Sequence, residues 1–99
     1  MGNKSVKNKE IEWFTGAGEI VLVGEMEDDH LANTISYIVR RREEYDRAAA
    51  KMAERGWPMP PFIINKRSGE EWLDILGKEA NRRRSKEVEK AKLILGVQQ

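Results

Sequence analysis

Ile11-Glu12-Trp13-Phe14-Thr15-Gly16-Ala17-Gly18-Glu19-Ile20-Val21-Leu22-Val23 is the stretch whose reading decides the fold. Two runs rich in β-branched and aromatic residues flank a Gly-Ala-Gly turn, which predicts a β-hairpin over 11–23. The second run is almost wholly apolar, so both of its faces are expected to be covered. Gly24 closes the hairpin. Met26-Glu27-Asp28-Asp29-His30-Leu31 then reads as a helix start, with acids in the first turn where the helix dipole favours them. If Glu27 or Asp28 caps that helix, Met26 can staple onto Leu31.

Nothing breaks the helix before Gly56 and Pro58, so it is expected over about 27–56. Leu31, Ile35, Ile38, Tyr45, Ala49 and Met52 make an apolar stripe with one gap. Such a helix is roughly 40 Å long at 1.5 Å per residue. A compact domain of this size has a radius of gyration of only about 13 Å. A partner chain is therefore the simplest cover for the helix.

Trp57-Pro58-Met59-Pro60-Pro61-Phe62-Ile63-Ile64 follows. Its prolines exclude helix and favour polyproline-type geometry, so 57–67 is read as an extended linker packed across the body. Ser68-Gly69-Glu70-Glu71 is a capping box. It opens a second helix over about 69–95, with Trp72, Leu73, Leu76, Ala80, Val88, Ala91 and Leu95 along one side. Gly77 and the Arg84-Ser85 step are candidate kinks or breaks, and Gly96 is expected to end the helix.

The expected fold class is α+β and mostly α. An N-terminal β-hairpin precedes two long helices joined by a Pro-rich linker, in a homo-oligomer. Ninety-nine residues make one domain, 10–99, behind a basic arm over 1–9 that carries Lys4, Lys7 and Lys9. Cysteine is absent, so no disulfide or thiolate metal site supports the small core. Charged residues form 35% of the chain but the net charge is +1, which predicts no general affinity for nucleic acid or acidic membranes. No apolar run is long enough to span a bilayer, and the first residues lack the apolar region of a secretory signal. The expected location is the cytoplasm.

Arg42 fills the gap in the first stripe, and Arg83 or Arg84 fills the matching gap in the second. A guanidinium on an apolar face needs a partner or a route to water, and its planar fork suits phosphate or carboxylate. Convergence of these arginines would make an anion or nucleotide pocket, with Tyr37, Tyr45 or Trp13 stacking on a base. The plainer alternative is pairing with Glu43, Glu44, Asp46, Glu79 or Glu87, or extension into solvent. Arg40-Arg41-Arg42, Arg82-Arg83-Arg84 and Lys66-Arg67 admit a nucleic-acid reading, but consecutive helical residues point about 100° apart and form a belt, which reads as a solvated face.

His30 and Asn33 share a face at the helix start. No complete triad can be assembled around His30, and one histidine with two aspartates is thin for zinc. A small hydrolase using His30 is the weakest functional class. The plain reading has His30 bonding a loop and Asn33 bracing the hairpin. No catalytic residue, metal or cofactor is expected.

Trp13-Phe14-Thr15, Gly18-Glu19-Ile20, Met26 and His30-Leu31-Ala32-Asn33-Thr34-Ile35 together form a pattern. The stretch from Trp13 to Arg42 resembles a group of small phage- or prophage-encoded proteins of unknown function. The resemblance covers about a third of the chain and brings no active site with it. It implies an accessory factor acting in a host cell on a host protein, nucleic acid or signalling nucleotide. By analogy of size and setting, the leading expectation is a non-enzymatic protein that counters a host defence. It would sequester a small anionic or nucleotide ligand, or bind a host protein. A nucleic-acid-binding accessory protein is the alternative.

Overall fold

The computed structural model describes residues 10–98. The basic arm expected over 1–9 lies outside the described residues. The hairpin forms as expected, but its second strand is not covered on both faces: Ile20 is 55% exposed and Val21 and Leu22 are half-buried. Strand β1 (Glu12–Phe14) pairs antiparallel with β2 (Ile20–Leu22), and Trp13 sits opposite Val21. Gly18 takes a φ of 87° in the connecting loop, a conformation that a side chain would strain. A single 3-10 turn at Val23–Glu25 leads into helix α1 (Asp28–Glu54). Glu27 is the N-cap residue but makes no side-chain cap bond. Met26 is nevertheless buried in the same core as Leu31.

A second hairpin was not expected. Strands β3 (Ile63–Ile64) and β4 (Arg67–Ser68) pair within the stretch read as linker. Their turn, Asn65-Lys66, takes φ values of 51° and 74°. Two consecutive positive φ values match the twist of the flanking strands, and Asn tolerates that region best among side-chain-bearing residues.

The second long helix is two helices. Helix α2 (Gly69–Asn81) opens with the full capping box: the Ser68 hydroxyl accepts from the Glu71 N–H at 3.0 Å, and the Glu71 carboxylate accepts from the Ser68 N–H at 3.4 Å. The chain then turns through residues 82–85 and restarts as α3 (Lys86–Gln98). The turn tightens by bonds from Arg82 N–H to the Glu79 carbonyl and from Arg83 N–H to the Ala80 carbonyl. Ser85 then accepts from the Val88 N–H at 3.2 Å, which starts the new helix. A straight rod would carry Val88 and Ala91 away from the body. The break folds α3 back on α1 and buries both. Helix α3 also passes through Gly96 to Gln98 instead of stopping at 95.

The core is one cluster. Leu31, Ile35 and Ile38 of α1 meet Trp72, Leu76 and Ala80 of α2, with Trp13 and Val23 closing one end. The Trp13 and Trp72 rings meet edge-on at 4.9 Å. The far end of the α1 stripe is covered only partly. There the chain returns along the helix, and Tyr45 stacks on Phe62 at 5.4 Å. The molecule measures 44 × 31 × 31 Å. Part of the cover expected from a second chain is thus supplied by residues 57–62 of the same chain.

Candidate ligand-binding cleft

Residues 30, 33 and 37 fall on one face of α1 because the helix repeats every 3.6 residues. Leu31, Ile35 and Ile38 occupy the adjoining face and form core. Thr34 lies between the two faces and is buried, with its hydroxyl donating to the His30 carbonyl at 2.7 Å. The His-Leu-x-Asn-x-Ile pattern therefore divides into an apolar half that builds the core and a polar half that looks outward.

The outward half lines a cleft of about 470 Å³. His30, Asn33, Thr34 and Tyr37 form one wall, and Trp13, Phe14, Thr15 and Gly16 of the first hairpin form the other. Ile64 and Asn65 of the second hairpin close the end. Among the described residues the His30 ring, the Asn33 amide and the Tyr37 hydroxyl make no hydrogen bond.

Asn65, which the sequence reading passed over, fixes the far wall. Its side-chain oxygen accepts from the Phe14 N–H at 2.9 Å, and its Nδ2 donates to the Phe14 carbonyl at 2.8 Å. The amide imitates the next strand of the sheet. The hairpin is therefore braced by Asn65, not by Asn33 as the plain reading held. Asn65→Ala should lower unfolding stability by about 2 kcal/mol, because it strands two backbone groups and replaces the residue that best tolerates positive φ by one that does not. Denaturant unfolding beside Asn65→Gly, which keeps the turn and loses the bonds, separates the two causes. A loss below about 0.5 kcal/mol in both variants would contradict the brace.

Two cations lie against aromatic rings of the cleft without lining it themselves, and Lys66 lines a neighbouring cavity with Glu10, Glu12 and Glu71. The Lys66 ammonium lies 4.5 Å from the Phe14 ring centre, and the Arg40 guanidinium lies 5.8 Å from that of Tyr37. Both cationic residues are exposed. The one sequence feature that could have marked this half of the site is Asn65, the side-chain-bearing residue that best tolerates the positive φ this turn takes.

The arginines singled out in the sequence do not converge. Arg83 is an internal tie: its side chain is 16% exposed and bonds Glu79 at 2.9 Å, Asp28 at 3.1 Å and the Met26 carbonyl at 2.6 Å. The Gly24 carbonyl lies 3.3 Å away. Arg42 sits about four turns further along α1 than Asp28, roughly 20 Å away at 1.5 Å per residue. It pairs with Glu70 at 2.9 Å and lines a separate mixed-charge groove of about 710 Å³ with Asp74, Lys78 and Lys92. Arg84 is exposed in the turn between α2 and α3. Tyr45 donates its hydroxyl to the Pro60 carbonyl. The expected pocket of Arg42, Arg83 and Arg84 is thus replaced by two separate surfaces. Trp13, His30, Asn33 and Tyr37 share one of them.

Among the described residues no group of three or more His, Asp or Glu side chains is arranged to hold a metal ion. No helix among them is long and apolar enough to cross a membrane. No family model matches the chain, and no curated protein and no solved structure matches it.

Proposed function

We propose that this is a non-enzymatic binding protein whose cleft takes a small ligand with a planar ring and a negative charge, a nucleotide being the class that fits. The observation that carries this is the meeting in one cleft of aromatic walls with three polar side chains, His30, Asn33 and Tyr37, that make no side-chain hydrogen bond among the described residues, with two cations against the rings of Phe14 and Tyr37. Small-molecule sites are commonly 300–1,000 Å³, largely apolar, with a few convergent polar groups. Phe14 and Tyr37 offer the ring faces not covered by Lys66 and Arg40, Asn33 and His30 offer hydrogen bonds, and those two cations offer charge for phosphate. The biological setting implied by the motif resemblance is part of the proposal: a phage accessory factor in the host cytoplasm that withdraws a signalling nucleotide from a defence system. Association of copies also belongs to it, with Ile20 and Leu93, 55% and 72% exposed, as apolar surface available for contact.

The test is a thermal melt with a panel of mononucleotides and cyclic nucleotides. A ligand at a hundred times its Kd adds about 2.7 kcal/mol, which raises Tm by roughly 13 °C in a domain of this size. His30→Ala with Asn33→Ala should remove the rise while the unliganded Tm stays put. Arg42→Ala should leave the rise intact. The converse pattern would move the site to the Arg42 groove.

A second reading, single-stranded nucleic acid across the same cleft, is favoured by the exposure of both Arg40 and Lys66. It differs in salt dependence: a strand held through several phosphates loses affinity steeply as salt rises, and a single nucleotide does so weakly.

A further inference from the structure

Trp57-Pro58-Met59-Pro60-Pro61 is constrained at every position, because each residue either is proline or precedes one. Proline fixes its own φ, and the residue before it is kept out of helical space. The covalent chemistry therefore favours an extended, polyproline II course, three residues per turn. Burial follows that period. Met59 and Phe62 are half-buried against the body, while Trp57, Pro58, Pro60 and Pro61 are exposed. One solvent-facing edge carries Pro58 and Pro61, one turn apart. Another carries Trp57, Pro60 and Ile63, of which Trp57 and Ile63 are 53% and 58% exposed.

The segment is also held from behind. The Trp57 N–H donates to the Met52 carbonyl at 2.9 Å, and the Tyr45 hydroxyl donates to the Pro60 carbonyl. The Phe62 ring stacks on Tyr45 and lies against Gly69, where a β-carbon would fall 2.4 Å from it. Gly69 N–H donates to the Phe62 carbonyl at 3.2 Å. No charged residue occurs from Gly56 to Asn65. Arg55, three residues before Pro58, is exposed at the end of α1, with its guanidinium 5.3 Å from the Trp57 ring centre.

We infer that this strip is a displayed recognition segment for a partner protein with an aromatic-walled groove and a carboxylate pocket at one end, the SH3 type. Pro58 and Pro61 have the spacing such grooves accept, and Arg55 puts a cation at the N-terminal end, which sets the polarity of docking. The strip is already extended and tied down, so binding orders little that is not ordered before contact. The ligand cleft is a separate surface, lined by none of these residues.

The test is isothermal titration of the full chain with a panel of purified SH3 domains that prefer a basic residue before the prolines. At least one domain should bind saturably. Pro58→Ala with Pro61→Ala should weaken it about tenfold or more, and so should Arg55→Glu, because groove and pocket each lose their anchor. Each variant's Tm, checked first, should match the parent, since all three side chains face solvent. The His30→Ala, Asn33→Ala variant should bind the domain as the parent does. No binding by any domain up to about 1 mM would overturn the inference, since weaker association carries less than about 4 kcal/mol. Binding that survives loss of both prolines would overturn it equally.

Discussion

Arg83→Ala is expected to lower stability by about 3 kcal/mol, the range found when one partner of a buried ion pair is removed. In a domain of about 100 residues that corresponds to a Tm drop on the order of 15 °C. The physical reason is what the change leaves behind. Glu79 is only 2% exposed and would keep a charge served by Arg82 alone, whose own side chain is 63% exposed. The carbonyls of Met26 and Gly24 would lose their donor, and the break between α2 and α3 would lose its tie to the start of α1. Arg83→Met keeps the length and should do little better, because it donates nothing. Arg83→Met combined with Glu79→Met should recover much of the loss, since removing both charges removes the need for pairing. Equal and additive losses in the cycle, or a loss below about 1 kcal/mol for Arg83→Ala, would mean that the tie contributes little.

Trp72→Ala is expected to cost about 4 kcal/mol. A domain of this size has about twice that in total, so the variant should still fold at 25 °C but melt roughly 20 °C lower by circular dichroism. Trp72 is fully buried, meets Trp13 edge-on, and donates from Nε1 to the Ile64 carbonyl at 2.6 Å. It thereby joins both hairpins to α2. Trp72→Phe separates the contributions. It keeps most of the bulk and leaves the Ile64 carbonyl without its donor, for a loss of about 1–3 kcal/mol. Near-equal losses for Ala and Phe would show that the hydrogen bond outweighs the packing.

Much of the fold was legible because it is written in local chemistry. The hairpin follows from Trp13, Phe14 and the Gly-Ala-Gly turn, and the start of α2 from Ser68 and Glu71. The Arg84-Ser85 step was visible as a weak point, but its outcome was not. Whether α3 continues straight or folds back depends on Val88 and Ala91 finding α1, a contact between residues about 50 positions apart. The β3–β4 hairpin escaped notice because two-residue strands show no alternation, and the prolines before them made the whole stretch read as linker. Only Asn65-Lys66 marked it.

The site was legible in part. The 3.6-residue spacing of His30, Asn33 and Tyr37 was visible, but the opposite wall comes from a side-chain amide imitating a strand, which no periodicity signals. Arg83 was misplaced for a similar reason. Its acceptors include main-chain carbonyls nearly 60 residues away, and a carbonyl is the same in every residue. Arg42 and Arg83 occupy matching gaps in two stripes, yet a matching gap along the sequence fixes no distance between helices.

The most direct measurement is a two-dimensional amide NMR titration of the full chain with the nucleotide that raises Tm most. If the cleft is the binding site, the largest shifts should fall on Phe14, Thr15, His30, Asn33, Tyr37 and Asn65, with residues around Arg42 and Lys78 unmoved. Saturable shifts confined to the Arg42 groove, or no shift near His30 and Asn33 at concentrations that stabilise the fold, would contradict it.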